Sequence, residues 1–470
     1  MTLRLVDTRT GAAEPFVPLR EGEVGIYSCG PTVYGPAHVG NFRSFLFADL
    51  LVRHLRFRGF TVRWVMNITD VDDKIIARAA AEGVPIGELT ERYAAAFLED
   101  TRRLRMTMPD VLPRATHHIP EMVELIELLI GRGHAYRADD GSIYFRIASW
   151  PRYGTLVHID PSQLRVGERV SADEYAKDDA RDFALWKVAR PGEPSWGTSL
   201  GPGRPGWHIE CSAMSMRYLG PTFDLHTGGV DLVFPHHEDE IAQSEAATGK
   251  PFVRTWLHCA HLRMGGVKMA KSVGNIDCPA DVYERGFSPR ALRYALLAVH
   301  YRSPLEFSDE SLHAATAAVE RLAIVLKTLG AYRHEGPDDP TLTALLDEAR
   351  ADFTASLDHD LNVAAALGAV FELVRELNRR LEARCLSAAD AARAATFLRG
   401  LDAVLAVAEE DAERLPPELE GLLERRVAAR AARDWTESDR LRQELANAGV
   451  TVEDARDGQR WRFVEGGPRD

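Results

Sequence analysis

Cys29 ends a short apolar stretch and opens the run Cys29-Gly-Pro-Thr-Val-Tyr-Gly-Pro-Ala-His38-Val-Gly40-Asn41. Small residues there let a phosphate approach the backbone. His38 falls at a helix start, where free N–H groups and the helix dipole favour anions. A histidine so placed can donate to a phosphate oxygen as charge builds up; it also suits a helix cap in a packing turn. Much later, Lys268-Met-Ala-Lys271-Ser272 sets two ammonium groups three residues apart in a glycine-flanked loop. Only seven lysines occur against fifty arginines, so lysine stands where it is specifically needed. Such a loop can close on a polyphosphate and stabilise the charge moved in nucleotidyl transfer. The competing reading is a solvated basic loop.

A third group suits a metal. Pro235-His236-His237-Glu238-Asp239-Glu240 lies at a predicted helix start, which puts His236 and Glu240 on one face at i,i+4. It is not a zincin motif, because Ile241 stands where the second histidine belongs. Cys211, in WHIECSAM, and Cys29 could add two thiolates, and with an imidazole and a carboxylate these make a four-ligand zinc site. Buried free cysteines and a charged helix face are the alternative. Cys259, Cys278 and Cys385 have no comparable partners. Gly201-Pro-Gly203-Arg-Pro-Gly206 matches a dinucleotide pattern formally. It is expected to follow no strand and open no helix, and its prolines remove N–H donors. No P-loop occurs.

These residues need elements to hold them. GEVGIYS at 22–28 predicts a strand, 38–58 a helix with Phe42, Phe45, Leu46, Leu50, Leu51 and Leu55 on one face, and TVRWVMNI at 61–68 a second strand. That is a βαβ unit, hence a parallel sheet with covered faces. Helices are predicted around 88–105 and 117–131, then a hairpin about the DDG turn in HAYRADDGSIYFRI. Residues 151–206, rich in Pro and Gly, read as an insertion with long loops, and FDLHTGG at 223–229 resumes the parallel sheet. Leu312, Ala315, Val319, Leu322, Leu326 and Leu329 begin a helix-bundle pattern, continued at 341–356, 361–383 and 388–407. The expected fold is α/β: a Rossmann-like catalytic domain split over 1–110 and 207–300, an inserted subdomain at 111–206, and a helical bundle at 301–408. A linker at 409–420 and a small domain at 421–470 complete it.

Composition narrows the class. The 470 residues are 45% hydrophobic and 27% charged, which suits a globular chain of about three domains. Five scattered cysteines make no disulfide framework. The start, MTLRLVDTRTGAAEPF, lacks the apolar core of a signal, and no apolar run is long enough to span a bilayer. A soluble, cytoplasmic protein with no membrane partner is expected. The net charge of −13, taken alone, argues against a nucleic-acid partner.

Together these segments resemble cysteinyl-tRNA synthetases of bacterial type, a class I aminoacyl-tRNA synthetase family, over essentially the whole chain. The family's first signature, usually His-Ile-Gly-His, stands here as His38-Val39-Gly40-Asn41; Asn41 can donate a hydrogen bond but carries no charge. The second, usually Lys-Met-Ser-Lys-Ser, stands as Lys268-Met269-Ala270-Lys271-Ser272. The resemblance implies catalytic roles for His38, Gly40, Asn41, Lys268 and Lys271, with Ser272 joining them at ATP. It implies one zinc ion per chain on Cys29, Cys211, His236 and Glu240. NITDVDDK, GWHIECSAM and HTGGVDLVFPHHEDEIAQ are also similar to the family, and within them Thr69, Trp207, His226, Gly229 and Asp231 match positions lining the aminoacyl-adenylate pocket.

The implied reaction takes L-cysteine and Mg2+-ATP to cysteinyl-adenylate and pyrophosphate, then transfers the cysteinyl group to the terminal adenosine of tRNA(Cys). Zinc is implied as a specificity element rather than a hydrolytic catalyst, and the insertion at 111–206 looks too small for an editing domain. Ala432 to Leu441 matches the helix pair of an anticodon-reading domain. There Trp435 could stack on a base and Arg433 or Arg440 reach phosphate, or Trp435 could be core between the helices. The family is mostly monomeric. One rival is the paralogous ligase of mycothiol synthesis, which couples activated cysteine to a glucosamine-inositol; the extended tail at 409–470 favours the tRNA enzyme. Another is a catalytically dead, zinc-stabilised tRNA-binding module, against which stands the retention of His38, Lys268, Lys271 and all four ligand types.

Overall fold

The computed structural model describes residues 2–158, 179, 181–268, 277–408, 417–455 and 458–463. At its centre are strand β1 (Glu23–Ser28), helix α1 (Val39–Phe57) and strand β2 (Thr61–Met66). Later in the chain come α2 (Trp207–Leu219), β3 (Phe223–Gly229), α3 (Glu238–Thr248) and β4 (Val253–Cys259). The four strands form one parallel sheet in the order β4-β3-β1-β2. From β1 the chain crosses through α1 to one side, and from β3 it crosses through α3 to the other. The order therefore reverses between β1 and β3, where open parallel sheets bind ligands at the strands' carboxyl ends.

Alternation along β1 assigns its side chains to two cores. Val24 and Ile26 join α1 and the later helices, whereas Tyr27 and Cys29 join α2, α3 and the helix Ile119–Gly131. The expected apolar stripe on α1 is present but too narrow: Phe47, Val52, Asp49 and His54 are buried as well. The reason is that α1 lies between the sheet and two further helices, Pro289–Leu297 and Ala388–Leu405. Its buried Asp49 is paired with the equally buried Arg293 at 2.6 Å, whose remaining N–H groups go to the carbonyls of Leu405 and Leu104 at 2.6 and 3.0 Å.

Among the described residues of 151–206, strands stand where long loops were expected. Phe183–Val188 and Gly203–Pro205 extend the hairpin of Ala135–Arg137 and Ile143–Phe145 into a four-stranded antiparallel sheet. The glycine-rich run at 201–206 also differs from expectation, since its residues 203–205 form a strand and Gly206 precedes α2. Its glycines serve close packing: a Cβ on Gly203 would lie 2.3 Å from Trp186 Nε1, and one on Gly206 2.0 Å from the Ala184 carbonyl oxygen.

The helices Asp309–Ala331, Leu342–Asp358, Val363–Glu382 and Ala388–Leu405 share one continuous apolar core with α1, running from Leu3 to Ala408. Capping boxes at Ser308 and Ser387 fix two of their starts. Residues 410–470 are a second compact unit. Within it, helices Pro417–Ala431 and Trp435–Asn447 and the hairpin of Val450–Ala455 with Gly458–Phe463 enclose Leu423, Leu445, Val450 and Val452. Residues 409–416 of the expected linker lie outside the described residues, and the chain is helical from Pro417. Among the described residues no helix is long and apolar enough to cross a membrane.

Candidate active site and metal centre

A cleft of about 440 Å³ opens at the carboxyl ends of β1, β3 and β4. Of the residues singled out from sequence, Cys29, His38, Gly40, Asn41, Trp207, Gly229 and Asp231 line it. Gly30 makes the floor possible, because a Cβ there would stand 1.7 Å from the Asn67 carbonyl oxygen. His38 is the N-cap of α1: its Nδ1 accepts from the Asn41 N–H at 3.1 Å, and Asn41 Oδ1 accepts from the His38 N–H at 3.1 Å. With Nδ1 an acceptor, the ring proton sits on Nε2, which makes Nε2 the donor. Asn41 thus has a task that its carboxamide performs without charge. Lys268 pairs with Arg263 in a short strand. Lys271 and Ser272 lie outside the described residues.

Thr69 and His226 sit behind the cleft rather than on its wall. Thr69 is buried, accepts from Asn67 Nδ2 at 3.0 Å and donates to Glu210 at 3.2 Å. His226 is buried against Trp256, with Nε2 3.0 Å from Glu240 Oε2. Trp207 stacks on His236 at 4.3 Å between ring centroids and bridges the cleft to the buried cluster beneath.

That cluster contains the four predicted metal donors. One donor atom from each of Cys29, Cys211, His236 and Glu240 lies within 4.8 Å of the others. The two sulfurs are 4.0 Å apart, Cys29 Sγ is 3.8 Å from Glu240 Oε1, and His236 Nε2 is 3.0 Å from the same oxygen. Two thiols, an imidazole and a carboxylate are a zinc donor set, and the residues present fit that ion. Only Cys29 of the four borders the cleft. A second set, Cys29, His226, His237 and Glu240, is equally compact. With the first set as ligands, Cys211 is among the donors, and His226 and His237 stand 3.0 and 3.3 Å behind Glu240 and Cys29 as outer partners of the kind metal ligands take.

The cluster's electrostatics agree. A hydrogen bond from Cys29 draws the Cys211 thiol down to about 6 against its burial, so this donor favours the thiolate. Burial opposes ionisation of Glu240, but His226 and His236 hold it down at about 2. Burial also opposes charge on His236, yet Glu240 and Cys211 lift it to about 10; a metal ion would displace that proton. Burial keeps His258 neutral, down at about 3.

Sequence reasoning overlooked several neighbours. His237 Nε2 lies 3.3 Å from Cys29 Sγ, and its Nδ1 lies 2.7 Å from His258 Nε2. His208 Nδ1 lies 2.8 Å from His236 Nδ1. The available signal was the crowding of histidines into 208–258. Lys74 also lines the cleft, its ammonium 5.7 Å from the Tyr34 ring centre, and the scarcity of lysine applied to it as well.

In the second unit the structure excludes the core reading of Trp435. That residue is 57% exposed, with the Arg430 guanidinium 5.6 Å from its ring centre. Arg433 is exposed, at φ 59° just before the helix. Arg440 is paired with Glu437 at 2.6 Å and with Glu444.

Comparison with known proteins places this body. Residues 15–317 match the family model of the class I (C) tRNA synthetase catalytic domain, 352–409 the DALR domain, and 412–462 the cysteinyl-tRNA ligase anticodon binding domain. The fold is similar to that of Mycobacterium tuberculosis methionyl-tRNA synthetase in complex with methionyl-adenylate, with a TM-score of 0.59 at 19% identity over 82% of this chain and 90% of that one. Sheet, cleft and family model together define a class I aminoacyl-tRNA synthetase. The cysteine–tRNA ligase of Solibacter usitatus is 46% identical over 98% of this chain and 100% of its own, and that of Pseudomonas aeruginosa is 44% identical over 98% and 100%. The chain belongs to the cysteinyl-tRNA synthetase family.

Proposed function

We propose that the protein activates L-cysteine with ATP and transfers it to tRNA(Cys). The observation that carries this is the convergence of Cys29, Cys211, His236 and Glu240 beside a class I cleft. In the first step the cysteine carboxylate attacks the α-phosphate of ATP, which enters with Mg2+, and pyrophosphate leaves. The Nε2 proton of His38, at the positive end of α1, and the ammonium groups of Lys268 and Lys271 stabilise the phosphate charge, with Ser272 beside them. Gly40 keeps the helix start open to phosphate, and Asn41 holds the His38 ring in register. Asp231, the exposed carboxylate of the cleft, accepts from the substrate ammonium, and Gly229 and Trp207 shape the pocket. Thr69 and His226 act from behind, His226 by orienting Glu240. In the second step the 2′-hydroxyl of the terminal adenosine attacks the adenylate carbonyl and AMP leaves. No protein nucleophile is needed.

Shape alone cannot strongly reject serine, which differs from cysteine by one atom. One zinc ion, held by the four donors, supplies a soft position that prefers a thiolate to a hydroxyl. In this enzyme the catalytic domain spans 1–110 and 207–300, with the insertion at 111–206, the bundle at 301–408 and tRNA contacts at Arg433, Trp435 and Arg440 in 421–470. Trp435 is the strongest of these contacts, because Arg440 is already neutralised by its own helix. A monomer suffices, since every proposed catalytic and metal residue comes from one chain. The test is charging with both acceptors offered in parallel. Cysteine should appear on tRNA(Cys) and not on the glucosamine-inositol; the opposite result selects the paralogous ligase.

A further inference from the structure

Three donors of the proposed metal centre have a polar partner behind them. His236 turns Nε2 toward Glu240 and Nδ1 toward His208, 2.8 Å away. Glu240 Oε2 faces His226 Nε2 at 3.0 Å, and Cys29 Sγ faces His237 Nε2 at 3.3 Å. Behind Cys211 Sγ stands Asn67 Oδ1 at 3.8 Å. That oxygen already accepts from the Gly30 N–H at 2.9 Å, so the amide presents its acceptor to the sulfur. An acceptor supports a thiol proton but not a thiolate.

Tyr27 supplies what is missing. It lies two residues before Cys29 and therefore on the same face of β1. Its side chain is fully buried, with the ring edge-on to His226 at 5.1 Å between centroids. Its hydroxyl has no hydrogen-bond partner among the described residues, and its ring packs in one buried cluster with Cys29 and Cys211. A buried hydroxyl without a partner is costly, and phenylalanine would fill the same space without that cost.

We infer that Tyr27 is a positioning residue of the metal centre, its O–H donating to the Cys211 thiolate once zinc is bound. It gives Cys211 the support that the other ligands receive from His208, His226 and His237. By drawing charge off this sulfur, it leaves the ion a better acceptor for a substrate thiolate. The inference rests on the four-donor assignment above.

The test compares full-length wild type with Tyr27→Phe, both stripped by chelator and then titrated with zinc against a chromophoric competitor. Each is also loaded with cobalt(II) to read the thiolate-to-metal charge-transfer band. Tyr27→Phe should bind zinc about tenfold more weakly. Its charge-transfer band should move to lower energy, while the metal-free melting midpoint stays level or rises. Zinc binding by both proteins with equal affinity and an unmoved band overturns the inference and leaves the donor set standing. A wild type that takes up no zinc overturns both. If Tyr27→Phe does not fold, NMR of the wild type serves instead. A protected tyrosine hydroxyl proton must appear with zinc and vanish with chelator, and its absence in the zinc-loaded protein overturns the inference.

Discussion

Replacing Cys211 with serine is expected to strip the metal and collapse the preference for cysteine over serine. A structural zinc site is worth roughly 10–16 kcal/mol shared among four ligands. One thiolate therefore accounts for about 3 kcal/mol, or on the order of a hundredfold in affinity. Serine is close in size, and Cys211 is 1% exposed in a packed site, so the fold should survive. Zinc measured after dialysis should fall well below one ion per chain. Discrimination in amino-acid activation should drop toward the roughly 10–200-fold that a pocket alone supplies. Unchanged zinc content with unchanged discrimination would remove Cys211 from the donor set.

His38→Ala should lower the rate of ATP–pyrophosphate exchange by about 10²–10³, the usual loss when one preorganised donor to a transition-state oxygen is removed. The same substitution deletes the α1 cap and should lower stability by about 1 kcal/mol. The two effects separate in His38→Asn, since asparagine is a good N-cap. That variant should recover the melting temperature without recovering the rate. A His38→Asn protein with wild-type exchange would reduce His38 to a structural cap.

Much of this site could be read from the chain because its parts obey local rules. FDLHTGG at 223–229 is a strand over those same residues, since a short apolar run ending in two glycines has one good way to enter a parallel sheet. His236 and Glu240 needed only a helix period to meet. The failures were tertiary. Prolines and glycines hid the strands at 183–188 and 203–205, whose pairing depends on the close approach of Trp186 to Gly203, a contact between distant residues. The second buried face of α1 came from helices hundreds of residues later. Asn41 read as a weakened phosphate ligand, and the structure gives it a cap to close. Trp435 looked equally fit for a core or a surface, because an aromatic at a helix start satisfies either environment. The ring of histidines behind the proposed metal donors joins strand ends with helix starts, and no single spacing announces it.

Net charge was the least informative property. Residues 401–470 hold seventeen acids against eleven bases, yet 412–462 match an anticodon binding domain. Pairs such as Arg440 with Glu437 show how the excess acid is spent locally, and Trp435 and Arg433 remain exposed for the proposed contact by shape and stacking.

The most direct test of the account is amino-acid-dependent ATP–pyrophosphate exchange by the folded, zinc-loaded protein, with cysteine and serine offered separately. Exchange should be rapid with cysteine, and exchange with serine lower by more than a pocket alone can achieve, roughly 200-fold. No exchange with cysteine, or comparable exchange with both, would contradict the account.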